Sequence, residues 1–449
     1  MSQTLIKNAT LINEDKIFKA DLLIEDQFIK KIADQISVEK NIKTIDAKNL
    51  YLLPGIIDDQ VHFREPGLTH KGSIQTESKA ALKGGITSFM EMPNTNPKTL
   101  NQELLQEKYN IAQNDSFCNY SFYMGTANDN LEEVLKTNPQ TNCGIKIFLG
   151  ASTGNMLVNQ VDVIKKVLEF SAQSKLIVDV HSEDENIIQT NAQKFKEKYQ
   201  EQVPITMHHL LRSREACIES TKKILALAIE TQAYLNILHI STKEEIELIK
   251  AAKKQNPNIL CEACTHHLWF TNDDYQEKGN FIKWNPAIKT KADREALREA
   301  VSERLIDFLA TDHAPHTLEE KSNDNYFKAA AGGPLVQHHL PALLELYHQG
   351  VFSLETIVDR ACHNPARKFN IDKRGFLKEG FYADLCLLNL NNPWTVTQDN
   401  ILYKCAWSPF MGQRFQSSIE TVFVNGTIVL ENQEFTGQSN SQRLVFNRK

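Results

Sequence analysis

Several reactive side chains of this sequence stand at the ends of short apolar runs. His62 closes GIIDDQVHF and is followed by Arg64, while Pro93-Asn94 follows TSFMEM. Lys146 lies in GIKIFL, His181 ends LIVDVH and His239 lies in YLNILHI. Asp312 ends DFLATD, with His313 and His316 just beyond. Taken singly, each has an ordinary explanation. A histidine ending a strand is usually a satisfied structural group, a lysine in an apolar run snorkels, and an aspartate before a loop caps a helix. Taken together, they deliver nitrogen, oxygen and amine groups from successive runs. Three histidines, an aspartate and a lysine suit a divalent ion such as zinc. Lys146 fits that set only as a neutral amine, which burial and a nearby cation favour. Such an amine can add CO₂, giving an anionic carbamate able to bridge two ions.

Eight apolar runs would have to position these groups: 55–63, 87–92, 119–124, 144–149, 176–181, 234–240, 259–264 and 307–312. Amphipathic helical stretches such as VDVIKKVLEFSAQ, REACIESTKKILALAIETQ and KEEIELIKAAKKQ separate them. Eight strands spread over about 260 residues predict an α/β fold, a (β/α)8 TIM-type barrel, whose catalytic groups gather at the C-terminal strand ends. The chain ends have a different texture, with alternating β-rich runs before 53 and after 374. Asn425-Gly426 between two such runs is a hairpin signal. The expected organisation is a catalytic barrel over 53–374 and a small β-sandwich domain built from both chain termini, 1–52 and 375–449.

Composition excludes several classes. The 449 residues carry 50 Lys and Arg against 56 Asp and Glu, a net charge of −6, which argues against a nucleic-acid binder. No run of about 18 apolar residues exists to span a membrane. The start, MSQTLIKNATLINEDK, lacks an apolar signal core, so a cytoplasmic protein is expected. Its eight cysteines are scattered, as in a reduced protein. Cys261 and Cys264 have CxxC spacing without a second ligand pair, and read as part of a buried strand. Ala151–Asn155 lacks the Lys-Ser/Thr ending of a phosphate loop and reads as a turn at the site mouth. The polar segment from His316 to Gly333 is expected to be able to close over a substrate.

The run Asp59-Gln60-Val61-His62-Phe63-Arg64-Glu65-Pro66-Gly67, with Met92-Pro93-Asn94-Thr95, resembles dihydroorotase of the amidohydrolase superfamily. Ile145-Lys146-Ile147-Phe148, Leu238-His239-Ile240-Ser241, Asn285-Pro286 and Thr311-Asp312-His313-Ala314-Pro315-His316 continue the likeness in family order along nearly the whole chain. The resemblance implies reversible cyclisation of N-carbamoyl-L-aspartate to dihydroorotate in pyrimidine synthesis. It also implies one or two zinc ions held by His62, Lys146, His181, His239 and Asp312, with Lys146 carboxylated in many members. Asp312 would be the general acid and base. Arg64, Asn94, Asn285, His316 and the Ala331-Gly332 backbone would hold the substrate, a guanidinium fork suiting a carboxylate. Dimers are common in the family. The Arg64 position favours dihydroorotase over hydantoinases, dihydropyrimidinases and allantoinases, whose usual substrates or residues differ there.

One departure bears on the metal. The first histidine of the family's HxH pair is Gln60 here, and an amide oxygen is a weaker zinc ligand than imidazole. Gln60 could bind weakly, the first ion could be held without it, or only the second ion could remain. A non-catalytic subunit supporting a partner such as aspartate transcarbamoylase is the further alternative. Gln337-His338 also departs, where relatives often have Glu-Thr.

Overall fold

The structure is a computed structural model that describes residues 2–38, 42–150 and 156–448. Each of the eight expected runs forms a strand: Ile56–Val61, Ile86–Glu91, Asn119–Phe122, Gly144–Phe148, Ile177–His181, Leu235–Ile237, Ile259–Cys264 and Phe308–Ala310. Every residue in them is buried, as strands covered on both faces require. Neighbouring strands pair in parallel, and Met124–Gly125 carries the third strand across to the fourth. The ring closes where Val61 bridges His313 and the His62 amide donates to the His313 carbonyl at 2.7 Å.

The three helices read from the sequence span Val161–Ser174, Arg214–Thr231 and Lys243–Lys253. The last starts at Thr242, whose hydroxyl accepts from the Glu245 amide while the Glu245 carboxylate accepts from Thr242. That reciprocal cap satisfies two orphan amides and sets where the helix begins. Apolar faces of the helices and the outward strand side chains form the large core between them.

Both chain ends meet in one nine-stranded sheet. Its join is Leu385–Asn389, antiparallel to Tyr51–Pro54 on one side and to Ser418–Val424 on the other. Leu11, Leu22, Leu52, Leu385 and Phe423 make its small core. In the expected hairpin Val424 pairs with Thr427, and Asn425 and Gly426 both take left-handed backbone at φ 47° and 75°. A side chain at Gly426 would also meet the Asp26 carbonyl, so glycine is required there.

All eight cysteines are free and buried. Among the described residues no helix is long and apolar enough to cross a membrane. The Ala151–Asn155 turn lies outside the described residues.

Candidate active site

The barrel delivers the expected groups to one rim. Gln60 and His62 leave the first strand on the same face, two residues apart. His62 Nδ1 lies 2.7 Å from Asn94 Oδ1, an acceptor, so the ring proton sits on Nδ1. Its other nitrogen, Nε2, then presents a lone pair to Asp312 Oδ1 at 3.3 Å. Two acceptors face each other there, and a proton on Asp312 or a cation between them relieves the contact. Gln60 also donates its amide to Asp312 Oδ1 at 3.1 Å, and its oxygen faces the Cys264 thiol at 3.7 Å. Burial pushes the Asp312 carboxyl up to about 7, against the pull of Lys146, His181 and Arg64.

On the opposite side His181 Nδ1 and His239 Nε2 face each other at 3.1 Å. His181 Nε2 lies 2.9 Å from Glu183, which also accepts from Arg212 at 2.7 Å. The carboxylate fixes the His181 proton on Nε2 and leaves Nδ1 as a lone-pair donor. His239 Nδ1 is buried with no partner. Burial holds both imidazoles below the usual histidine range, so both rings are neutral near pH 7.

Lys146 sits opposite Asp179 in the strand register, fully buried, with its amine 4.6 Å from the Phe148 ring centre. Burial lowers its pKa to about 8, although Asp179, Glu262 and Asp312 favour the charged form. Asp59, Asp179 and Glu262 share the barrel interior with it, and burial raises the pKa of each.

Arg64, His239 and Asp312 all adopt left-handed backbone, at φ 72°, 37° and 49°. Non-glycine residues in that region cost on the order of 1–3 kcal/mol each, a strain that collects where side chains must be aimed. Arg64 is buried, with Nε donating to the Pro315 carbonyl at 3.1 Å and Nη2 beside His316 Nε2 at 3.2 Å. His316 Nδ1 is 3.2 Å from Glu320, and Glu320 pairs with Lys71 at 2.7 Å. Arg64 offers only donors, so Nε2 accepts from it and the Nδ1 proton goes to Glu320, with the Lys71 ammonium also 3.2 Å from Nδ1. Burial drops the His316 pKa to about 3, which keeps the ring neutral beside the guanidinium.

Outside this rim opens a cleft of about 410 Å³ lined by Arg212, Lys283, Asn285, His316, Tyr326 and Ala331. In the amide orientation its neighbours favour, Asn285 accepts from Arg212 Nη2 at 3.2 Å. Gly332 lies beside it, its amide donating to the Lys283 carbonyl at 2.8 Å.

Among the described residues no three His, Cys, Asp or Glu side chains are already drawn together as a metal cluster. The pairs nevertheless have the chemistry for one. Opposed lone pairs at His62 and Asp312, two neutral imidazole nitrogens 3.1 Å apart and an orphaned His239 nitrogen all fit a divalent ion. Gln60 fits less well, because it turns its amide nitrogen to the carboxylate.

Sequence reasoning missed Glu183, Arg212, Lys71 and Lys283 as parts of this region. Glu183 stood two residues after His181 and was the one readable signal. The 316–333 segment, expected to be able to close over a substrate, buries Lys321 completely and is tied to the body of the protein through Lys283. Gln337 and His338 bind the 400–403 turn: Gln337 accepts from the Leu402 amide at 2.8 Å, and His338 Nδ1 meets the Tyr403 hydroxyl at 2.9 Å.

Residues 51–429 match the Amidohydrolase family. A protein named dihydroorotase from Ligilactobacillus salivarius is 31% identical over 437 residues, covering 96% of this chain and 99% of that protein. The dihydroorotase of Pyrococcus abyssi is 32% identical over 398 residues, 89% of this chain and 88% of that protein. Among solved structures, the L-hydantoinase (dihydropyrimidinase) from Arthrobacter aurescens superposes with a TM-score of 0.95 at 28% identity, covering all of both chains. The dihydropyrimidinase from Brevibacillus agri NCHU1002 has the same fold, with a TM-score of 0.91 at 23% identity and full coverage of both chains. The match over most of its length and the agreement of fold make this chain a member of the amidohydrolase family.

Proposed function

We propose that the chain is a zinc-dependent dihydroorotase, interconverting dihydroorotate and N-carbamoyl-L-aspartate. The observation that carries the choice is the buried Arg64 fork, two of whose N–H groups are held by Pro315 and His316 while the others remain for a carboxylate. The dihydroorotases at 31% and 32% identity support it.

His62, His181, His239, Asp312 and a carboxylated Lys146 would hold the zinc, with Gln60 as a weak ligand at most. The amine pKa of about 8 leaves Lys146 partly neutral at physiological pH, as CO₂ addition requires. When bound, the ion supplies a Lewis acid that polarises the ring carbonyl and acidifies water. Arg64 and the Asn94 amide nitrogen grip the substrate carboxylate, His316 holds the Arg64 fork in place, and Asn285 with the Ala331–Gly332 backbone borders the ring, so that the reacting atoms meet in register. In ring opening, Asp312 takes a proton from the attacking water and passes it to the leaving ring nitrogen. In ring closure it takes a proton from the ureido nitrogen. A carboxyl titrating near 7 suits both directions.

The second reading is a hydantoinase or dihydropyrimidinase, favoured by the TM-score of 0.95 to the Arthrobacter enzyme. A panel of dihydroorotate, dihydrouracil and hydantoin separates the two. Dihydroorotate should be the best substrate by kcat/KM, and preference for an uncharged ring would overturn the proposal. Zinc loading without turnover of any ring would point instead to a non-catalytic subunit.

A further inference from the structure

Two buried lysines beside the cleft lack a carboxylate partner among the described residues. Lys321 donates to the carbonyls of Lys283, Ala330 and Gly332 at 3.3, 2.9 and 2.8 Å, one acceptor for each ammonium hydrogen. Lys283 donates to the carbonyls of Tyr326 and Ala329 at 2.5 and 2.6 Å and lies 4.1 Å from the Tyr326 ring centre. Backbone bonds add to the strap, from the Gly332 amide to Lys283 and from the Ala330 amide to Glu320. Tyr326 is fixed in turn by its hydroxyl, 2.6 Å from His208 Nδ1.

Holding a loop does not by itself call for two cations. Burying an ammonium without a counter-ion is costly, its carbonyl partners offset that only in part, and burial pushes the Lys283 amine down to about 7 and the Lys321 amine well below the usual lysine range. The cleft wall has the same bias: Lys283, Lys328 and Arg212, the last already paired with Glu183, line it, and among the described residues no carboxylate does. An anion in the cleft would complete the charge balance.

We propose that Lys283 and Lys321 are positioning residues for an anionic substrate. They strap residues 326–332 against the 283–285 segment, fix the Ala331–Gly332 backbone as a wall of the site, and make that wall positive when an anion is bound. This rests on the dihydroorotase reading and extends it to residues outside the Arg64 cluster.

The test uses the zinc-loaded full chain with Lys321→Met, Lys283→Met and Lys283→Arg, read by hydrogen exchange of the 323–333 segment and by steady-state kinetics. Both methionine variants should exchange the Ala330 and Gly332 amides about tenfold faster than wild type, with barrel-strand amides unchanged. KM for dihydroorotate should rise about tenfold, with kcat within about threefold. Lys283→Arg, which keeps the charge, should stay close to wild type in KM. It keeps the proposal testable if Lys321→Met does not fold. Unchanged exchange would overturn the strap, and unchanged KM alongside a lower Tm would reduce both lysines to structural roles. Wild type that turns over no dihydroorotate would sink the functional reading and the substrate role with it, while the exchange data would still decide the strap.

Discussion

Replacing Arg64 by methionine isolates the group that separates an anionic ring substrate from a neutral one. Arg64 is 1% exposed, so a substrate carboxylate reaching it leaves water behind. Burial holds the guanidinium pKa to about 10, still charged throughout the working range. Removing one partner of a buried, hydrogen-bonded charge pair costs about 3–5 kcal/mol, because the other charge is left unpaired. Even about 3 kcal/mol corresponds to roughly a hundredfold in kcat/KM. Methionine retains most of the apolar stem volume, so the fold should survive, although His316 Nε2 and the Pro315 carbonyl each lose a donor. The assay compares kcat/KM for dihydroorotate with that for dihydrouracil, which has the same ring without the carboxylate. Dihydroorotate should lose about two orders of magnitude or more, and dihydrouracil should change by less than about threefold. Equal losses on both rings would mean that Arg64 supports the site without reading the carboxylate, and the substrate argument would fail.

Asp312→Asn should fold with a near-normal Tm and lose about a thousandfold or more in kcat, measured by turnover and thermal melting, because no other carboxylate reaches His62 Nε2. Glu183→Gln should weaken zinc binding by about 10–100-fold in a chelator competition, since Glu183 sets the His181 tautomer. Stability of the chelator-stripped protein should rise as pH rises from about 5 to 6.5. Burial holds twelve of the described histidines below the usual range, His181, His239 and His316 among them, so the unfolded chain binds protons there that the native state does not. The seven carboxylates that burial raises, Asp58, Asp179 and Asp312 among them, pull the other way but are fewer. Urea midpoints that fall with pH over that interval would contradict the burial of these neutral imidazoles.

The barrel was legible because strands covered on both faces must be apolar throughout, and runs such as GIKIF and IVDVH have that texture between amphipathic helices. Reactive residues inside or ending such runs then stood out against their neighbours. Arg64 and Asp312 were found in this way, but the left-handed backbone that aims them is not readable from the sequence: aspartate is only enriched there, and arginine is not. The Asn425-Gly426 hairpin was legible for the opposite reason, because its residue types match the backbone the turn demands. Lys283 stayed hidden, and Lys321 stood only as one polar residue of the 316–333 segment: its burial depends on two carbonyls of the following loop and a third from Lys283, which only the fold brings together. Arg212 was hidden likewise, because a long helical excursion separates it from His181 before the fold pairs it with Glu183. The meaning of Gln60 depended on a neighbour distant in sequence, Asp312, to which its amide turns.

The most direct measurement is ring opening of dihydroorotate by the purified protein after reconstitution with zinc and bicarbonate, followed by loss of the dihydroorotate absorbance. The account predicts turnover that vanishes in Asp312→Asn and on chelation, with Gln60 in its native place. A folded, zinc-loaded protein that leaves dihydroorotate intact would contradict it.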